Sequence, residues 1–220
     1  RRQRQMCIRD RDHTAIMPEA LQINNQLHRY LMYDAILNND ARMDDGKVIG
    51  DPTESALLEM VRKCGVDDDF FRGAMERQQE LPFDSDRKLM STVYALHGVP
   101  TLLTKGAPDV LLERAVYLRE KQGIRRMTEE DRTEIIEQNQ RFSGEGLRVL
   151  AFAYRELKES EELTLSGECD YIFLGLVAMI DPPRAESAAA VADAKRAGIR
   201  PVMITGDHKV CLLYTSDAAD

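Results

Sequence analysis

Residues 89–115 read LMSTVYALHGVPTLLTKGAPDVLLERA, and this stretch decides the fold that the sequence predicts. Two runs rich in β-branched and apolar residues, 89–96 and 101–104, flank the turn HGVP, a pattern typical of an antiparallel β-hairpin. Residues 107–119 then return to helical spacing, with Pro108 placed to begin the helix. The sequence therefore predicts an α+β domain in which an antiparallel sheet is flanked by helices.

The region before the hairpin is predicted to be helical. Residues 18–37 carry apolar positions spaced for one long amphipathic helix. A second helix is expected to start at Asp51, because an aspartate cap, Pro52 and then Glu54 form a capping-box signature. A third, shorter helical stretch precedes residue 81.

The region after the hairpin predicts another helix and two strands. Thr128 and Asp131 mark the start of a helix that runs towards Phe142, and residues 147–155 and 171–178 read as strands. The polar, acidic residues between these strands are expected to form a surface loop.

The character of the chain changes beyond residue 180. An Ala-rich helix over 185–197, a stop at Gly198 and an apolar strand over 199–204 resemble half of a βαβ unit. We therefore expect a second domain of α/β type to begin here.

Composition limits the class of protein. The chain has 220 residues, of which 43% are hydrophobic and 31% charged, as in ordinary globular domains. Its formal charge of −8 argues against nucleic acid as the partner. The longest apolar run, 171–180, is too short to cross a bilayer. Cys64 and Cys169 lack CxxC spacing, which suits a reducing compartment.

Both ends of the chain are expected to be foreign. Residues 1–10 can be encoded by CGTCGGCAGCGTCAGATGTGTATAAGAGAC, with a following A that opens the codon of Arg11. The reverse complement of that string together with the following A translates as CLLYTSDAAD, the sequence of residues 211–220. One DNA element in two orientations thus accounts for both termini, as a sequencing adapter would, and we assign 1–11 and 211–220 to it.

Two short motifs combine cations with groups that suit a flat anionic ligand. In KGAP, Lys105 could hold a phosphate or stack on a purine, and Gly106 would allow the backbone to approach a ligand closely. In FDSDRK, Phe83 could stack on a purine with Lys88 nearby. The alternatives are a solvated turn lysine, a core phenylalanine and exposed strand cations.

Four further motifs have structural and functional interpretations. In GDPTES, Thr53 and Glu54 stand at a helix start, where Glu54 could serve only as a capping residue. Arg148, in GLRVLAFAYR, could be a surface arginine at a strand end. The prolines of DPPR, residues 181–184, suit a stiff connector, and TGDH, residues 205–208, follows an apolar strand where α/β folds place ligand groups.

The order GDPTES, KGAP, DPPR and TGDH resembles the nucleotide-binding region of P-type cation-transporting ATPases. The phrases PFDSDRK, MIDPPR and PVMITGDHK are most similar to prokaryotic calcium-type pumps. The resemblance covers nearly all of residues 12–210. It implies a nucleotide-binding domain over 12–180 and part of a haloacid-dehalogenase-like phosphorylation domain over 181–210.

The resemblance also implies roles for single residues. Phe83 would stack on adenine, Lys105 would line the adenine pocket, Glu54 would accept a hydrogen bond from the adenine amino group, and Arg148 would approach the phosphates. The implied nucleotide-binding set is Thr53, Glu54, Phe83, Lys88, Lys105, Gly106 and Arg148. One departure is Ser85, where some relatives carry arginine.

The last two motifs would serve domain connection and phosphoryl transfer. The implied hinge is Asp181, Pro182, Pro183 and Arg184. Thr205 and Gly206 would hold the transferred phosphoryl group, and Asp207 would sit near the nucleotide phosphates. The acceptor aspartate of a DKTGT motif is absent from the chain, and the ligands of Mg²⁺ are expected mostly outside it, so no metal-ligating residue is assigned.

The resemblance predicts a partial pump on the cytoplasmic side of a membrane. The parent would couple ATP hydrolysis, through an aspartyl phosphate, to transport of a cation such as calcium. Its actuator domain, membrane helices and remaining phosphorylation domain would be the partners, and the isolated chain would bind ATP weakly without hydrolysing it. The alternatives are a haloacid-dehalogenase-type phosphatase fragment and a stand-alone nucleotide-binding module. P-loop, zinc-site and GxSxG motifs do not occur.

Overall fold

The computed structural model describes residues 6–9, 15–44, 47–180, 185–200 and 202. Its strands are β1 (Met6–Arg9), β2 (Ala15–Ile16), β3 (Arg42–Asp44), β4 (Lys47–Ile49), β5 (Arg77–Asp84), β6 (Leu89–Leu96), β7 (Val99–Gly106), β8 (Ala115–Glu120), β9 (Gly123–Arg126), β10 (Arg148–Glu156) and β11 (Tyr171–Met179). Its helices are α1 (Gln26–Leu37), α2 (Pro52–Lys63), α3 (Asp68–Ala74), α4 (Pro108–Arg114), α5 (Glu129–Gly144) and α6 (Ala185–Arg196). Within these ranges, every helix is too short or too polar to cross a membrane.

The predicted hairpin lies inside the main sheet. β6 and β7 pair antiparallel from Leu89 opposite Gly106 to Leu96 opposite Val99. The two residues between them, His97 and Gly98, have positive φ angles of 53° and 82°. A two-residue turn with positive φ at both positions matches the twist of the flanking strands, so it joins them without splaying.

In the part of the chain that the structure describes, nine strands form this sheet, in the order β2-β1-β11-β10-β7-β6-β5. β8 pairs with β11 in parallel, and β9 pairs antiparallel with β8. The remaining ladders are antiparallel. The predicted α+β class, with a mostly antiparallel sheet flanked by helices, is confirmed.

Both faces of the sheet are covered, and the side chains of β10 show how. Phe152 and Tyr154 point into a core built with α1 and α2, whereas Ala151 and Ala153 belong to a second core that includes residues of α4 and α5. Successive side chains of a strand point to opposite faces. Because both faces are buried, the central strands carry buried side chains at successive positions, and alternation of polar and apolar residues could not reveal them.

The expected helix over residues 18–37 is only partly correct. A short 3₁₀ turn occupies Pro18–Ala20, and α1 begins at Gln26. The cause is Asn25, whose side chain accepts a hydrogen bond from Leu27 N at 2.9 Å and so caps a new helix.

The expected helix over residues 107–119 is wrong in its second half. α4 ends at Arg114, and the chain continues as β8, which adds to β11 in parallel. Val116 and Tyr117 favour a strand, and the edge of β11 supplies backbone partners that local spacing cannot reveal.

Other sequence predictions of secondary structure are confirmed. α2 has Asp51 as its N-cap and Pro52 in its first turn, and α5 begins with a complete capping box between Thr128 and Asp131. β10 and β11 match the two predicted strands within one residue. The loop between these two strands is expected at the surface, but one of its residues, Glu168, is buried.

The beginning of the expected second domain is described only in part. α6 forms and ends at Arg196, and the φ of 73° at Gly198, two residues later, suits a glycine helix stop. Ile199, Arg200 and Val202 lie in no helix or strand, and the rest of the expected strand lies outside the described residues. The α/β character of this region therefore stays a prediction.

Candidate functional site

One end of the sheet brings most of the candidate residues together. β5 ends there with Phe83 and Asp84, and β6 begins just after Lys88. In the ladders, Leu89 lies opposite Gly106, and Gly106 in turn lies opposite Ala151 of β10. The N-terminus of α2 reaches the same end, because Glu54 contacts the side chain of Lys105.

Lys105 is a buried lysine with a partly buried ion-pair partner. Its side chain is only 7% exposed, and its Nζ lies 2.7 Å from Glu54 Oε1. The ammonium group also donates a hydrogen bond to the Asn38 carbonyl. Burial lowers the pKa of Lys105, whereas the Glu54 carboxylate opposes that shift. Lys105 is thus not a solvated turn lysine.

Glu54 connects three elements with its carboxylate. One oxygen accepts from Lys105, and Oε2 accepts from the backbone N–H of Asp40 at 3.1 Å. The start of α2 is capped by Asp51, whose Oδ1 accepts from Thr53 N at 2.8 Å. Glu54 therefore turns towards the end of β7 and the loop after α1.

Thr53 and Arg148 close the site on the side of β10. Arg148 Nη1 donates to Thr53 Oγ1 at 2.9 Å, although 95 residues separate the two in sequence. The contact joins the first strand position of β10 to the first turn of α2. Arg148 is exposed, so its guanidinium is accessible to a ligand as well as to Thr53.

Phe83 and Lys88 flank the turn between β5 and β6. Phe83 is 63% exposed and lies near the end of β5, an edge strand of the sheet. Lys88 has a positive φ of 59°, and its Nζ lies 3.8 Å from Asp109 Oδ2. Both side chains of that pair are more than half exposed, so it adds little stability. The ring and the ammonium are both available to a ligand.

Gly106 is required by the protein's own backbone. A Cβ atom at this position would lie 2.2 Å from the Lys88 carbonyl oxygen and 3.0 Å from Leu89 Cα. The Lys88 carbonyl also accepts from Ala107 N at 3.1 Å. The glycine therefore fixes the turn that carries Lys88 against the strand that carries Lys105.

Sequence reasoning missed the loop after α1. Asn39 Nδ2 donates to Ala35 O at 2.9 Å and to Glu54 O at 3.0 Å, and so joins the end of α1 to the start of α2. Arg77 donates to the carbonyls of Leu37 and Asn39. Consecutive asparagines mark a helix end in the sequence, but no local signal indicates these distant partners.

A buried carboxyl group, also missed, lies beneath the site. Asp34 of α1 is fully buried, and its Oδ1 accepts from Asn38 Nδ2 at 2.9 Å. Burial raises the pKa of Asp34 to about 7, against the opposing effects of the Asn38 hydrogen bond and the Lys105 charge. Asn38 therefore touches both Asp34, through its amide, and Lys105, through its carbonyl.

The remaining candidate residues are not placed. Asp181, Pro182, Pro183 and Arg184 lie outside the described residues, as do Thr205, Gly206 and Asp207. Their assignment to a hinge and to phosphoryl transfer stays a prediction.

Three neighbouring carboxylates at the start of α3 have structural partners. Their oxygens lie within 4.8 Å of one another in Asp67, Asp68 and Asp69. Asp67 caps α3, and Arg62 forms ion pairs with the other two. These contacts account for the cluster without a metal ion.

Comparison with known proteins identifies similar sequences. Residues 28–186 match the family model described as P-type ATPase, cytoplasmic domain N. The chain is 43% identical over 194 residues to the calcium-transporting ATPase lmo0841 of Listeria monocytogenes. This match covers 87% of the chain and 22% of the Listeria protein. It is also 43% identical over 198 residues to calcium-transporting ATPase 1 of Bacillus cereus. That match covers 90% of the chain and 22% of the Bacillus protein. The chain thus spans about a fifth of the length of the curated relatives it matches.

Proposed function

The chain belongs to the P-type ATPase family, as cytoplasmic domain N, and from that premise we propose that the sheet end around Lys105 binds ATP. One observation carries the proposal: the contacts Glu54–Lys105 and Thr53–Arg148 lie at the sheet end where β5 and the turn after it present an exposed ring and an exposed ammonium. Cations and a flat apolar ring together suit a nucleotide.

Each side chain has a role that its position allows. Phe83 stacks on the adenine ring, and Glu54 accepts from the adenine amino group. Lys105 lines the adenine side of the site, and Lys88 and Arg148 interact with the phosphates. Because Glu54 already holds Lys105 at 2.7 Å, nucleotide entry exchanges part of that ion pair for contacts with the base.

In the parent protein, ATP bound here would phosphorylate an aspartate outside this chain. The aspartyl phosphate would drive transport of a cation, and calcium is proposed because the relatives named above are calcium-transporting ATPases. Mg²⁺ would accompany the nucleotide, with ligands mostly outside the chain, and this segment would face the cytoplasm. The isolated chain is expected to bind ATP weakly and to release no phosphate from it.

Substitution of Phe83 tests the site with little risk to the fold, because the ring is largely exposed. We expect Phe83→Ala to weaken ATP binding about tenfold or more in calorimetric titration, the typical effect of losing one base-stacking ring. Phe70→Ala is the matched control, since Phe70 is 67% exposed and lies on α3, near the opposite end of α2. Equal losses in both variants, or none in Phe83→Ala, would refute the assignment.

Lys105→Glu is a less selective test. It would place a second carboxylate against Glu54 in a buried position, and the resulting repulsion would destabilise the fold as well as the site.

A further inference from the structure

A buried carboxylate contacts the turn that follows Phe83. The side chain of Glu168, in the loop between β10 and β11, is fully buried. It accepts hydrogen bonds from the Arg87 guanidinium, from Ser91 Oγ at 2.5 Å and from Arg114 Nη1 at 3.3 Å. Two cations and a hydroxyl therefore offset the desolvation of this carboxylate.

Arg87 transmits this contact to the backbone next to Phe83. While Nη1 binds Glu168, Nη2 donates to the carbonyl of Leu81 at 3.3 Å and to the carbonyl of Pro82. These are the two carbonyls that immediately precede Phe83. The planar guanidinium can bridge both partners at once, whereas a lysine ammonium offers no comparable fork.

The same turn is also held by the side chain of Asp84. Asp84 Oδ1 accepts from Arg87 N at 2.8 Å and from Asp86 N at 3.0 Å. The Lys88 carbonyl is packed against Gly106, as described above. Arg87 is the residue that joins this turn to Glu168, 81 positions away in the sequence.

We propose that Glu168 and Arg87 are positioning residues of the nucleotide site, which hold residues 81–83 so that the Phe83 ring is presented to the base. The inference rests on the proposed function. Because Phe83 is 63% exposed, packing alone holds its ring only weakly, and the Glu168–Arg87 pair supplies order that binding would otherwise have to impose. Removing the pair should weaken binding through lost preorganisation.

The test compares variants of the whole chain by ATP titration, at a temperature at which each is folded by circular dichroism. Glu168→Gln should raise the Kd for ATP about fivefold or more, because the amide cannot hold Arg87 as an ion pair. Arg87→Lys, which keeps the charge but loses the fork, should give a similar loss. If Glu168 and Arg87 act as one unit, the Kd of the double variant should not exceed the larger of the two single-variant Kd values.

Glu120→Gln is the matched control. Glu120 is a mostly buried glutamate that pairs with Arg125 at 2.5 Å on the β8–β9 hairpin, on another part of the sheet. Glu120→Gln should lower the free energy of unfolding but change the Kd for ATP by no more than about twofold, because this ion pair has only a structural role. As a spectroscopic signature, Glu168→Gln and Arg87→Lys should shift the backbone amide resonance of Phe83 in the nucleotide-free chain, and Glu120→Gln should not.

The outcomes separate the inference from the proposed function. An unchanged Kd in both Glu168→Gln and Arg87→Lys, with Phe83→Ala still impaired, would overturn the positioning role and leave the site assignment standing. A loss of affinity in Glu120→Gln equal to that in Glu168→Gln would also overturn it. ATP binding by the unaltered chain is therefore measured first. If that chain binds no ATP, both proposals fail.

Discussion

At the scale of single residues, the site is built around a charge that is taken out of water. Burial lowers the pKa of Lys105, whereas the Glu54 carboxylate at 2.7 Å and the hydrogen bond to the Asn38 carbonyl favour its charged form. A buried ion pair contributes little net stability compared with an apolar pair of the same shape. Its value lies in holding a cation at a fixed place, which suits a site for an anionic ligand.

Asp34 gives a pH dependence that can be measured apart from binding. The folded protein keeps this carboxyl protonated up to about pH 7, whereas the unfolded chain ionises it near its ordinary value. Folding therefore takes up a proton between these values, and stability falls as pH rises through this range. Above the folded pKa, both states are ionised and the effect is constant.

We expect Asp34→Asn to remove this dependence. Between about pH 5 and pH 8, the free energy of unfolding of the unaltered chain should fall by about 2–3 kcal/mol relative to the variant. Urea denaturation of both proteins across this range makes the comparison, and other titrating groups cancel in the difference. Parallel profiles for the two proteins would show that Asp34 is already ionised in the fold at the lower pH.

Single residues also show how far sequence reasoning reaches. The residue types in GDPTES and KGAP singled out Glu54 and Lys105, and the structure brings them into contact. The partners Asn38 and Asp34 carried no signal, because their proximity depends on how α1 packs on the sheet. Gly106 was noticed for a possible approach of a ligand, yet the atom that excludes a side chain there is the carbonyl oxygen of Lys88.

At the scale of elements, helix caps position part of the site. α2 starts at the site because Asp51 accepts hydrogen bonds from the first free N–H groups of the helix. The first turn then presents Thr53 towards Arg148 and Glu54 towards Lys105. A change at the cap should therefore affect both stability and the site.

Asp51→Ala and Thr128→Ala form a matched pair of cap variants. Each removes a side-chain cap and should cost about 1 kcal/mol of stability. Only Asp51→Ala loosens the turn that carries Thr53 and Glu54, so it alone should weaken ATP binding, by severalfold. Denaturation and calorimetry on both variants provide the measurements. A similar loss of affinity in Thr128→Ala, whose helix α5 lies away from Thr53, would show that affinity follows global stability instead.

Elements were predicted from sequence where their signals are local. Caps and turn residues identified α2, α5 and the β6–β7 hairpin. The sequence of β8 predicts a helix, because its strand character depends on pairing with β11, more than 50 residues later. Non-local backbone partners decide such segments, and local periodicity does not contain them.

At the scale of the whole molecule, the sheet separates two cores and leaves one end for a ligand. α1 and α2 pack on one face, and α4 and α5 pack on the other. The candidate residues reach the sheet end from α2, β5, the β5–β6 turn, β7 and β10, so the site depends on the fold as a unit. The chain covers about a fifth of the length of its relatives, and the residues that we propose for nucleotide binding all lie at this end of the sheet.

The most direct test of this account is a titration of the isotopically labelled chain with ATP, followed by backbone amide NMR. We expect saturable shifts at Glu54, Phe83, Lys88 and Lys105, whereas the amides of Phe70 and of the middle of α5 stay in place. If the four site amides remain unperturbed at millimolar ATP, or if the shifts cluster around Phe70, the sheet end around Lys105 is not the nucleotide site.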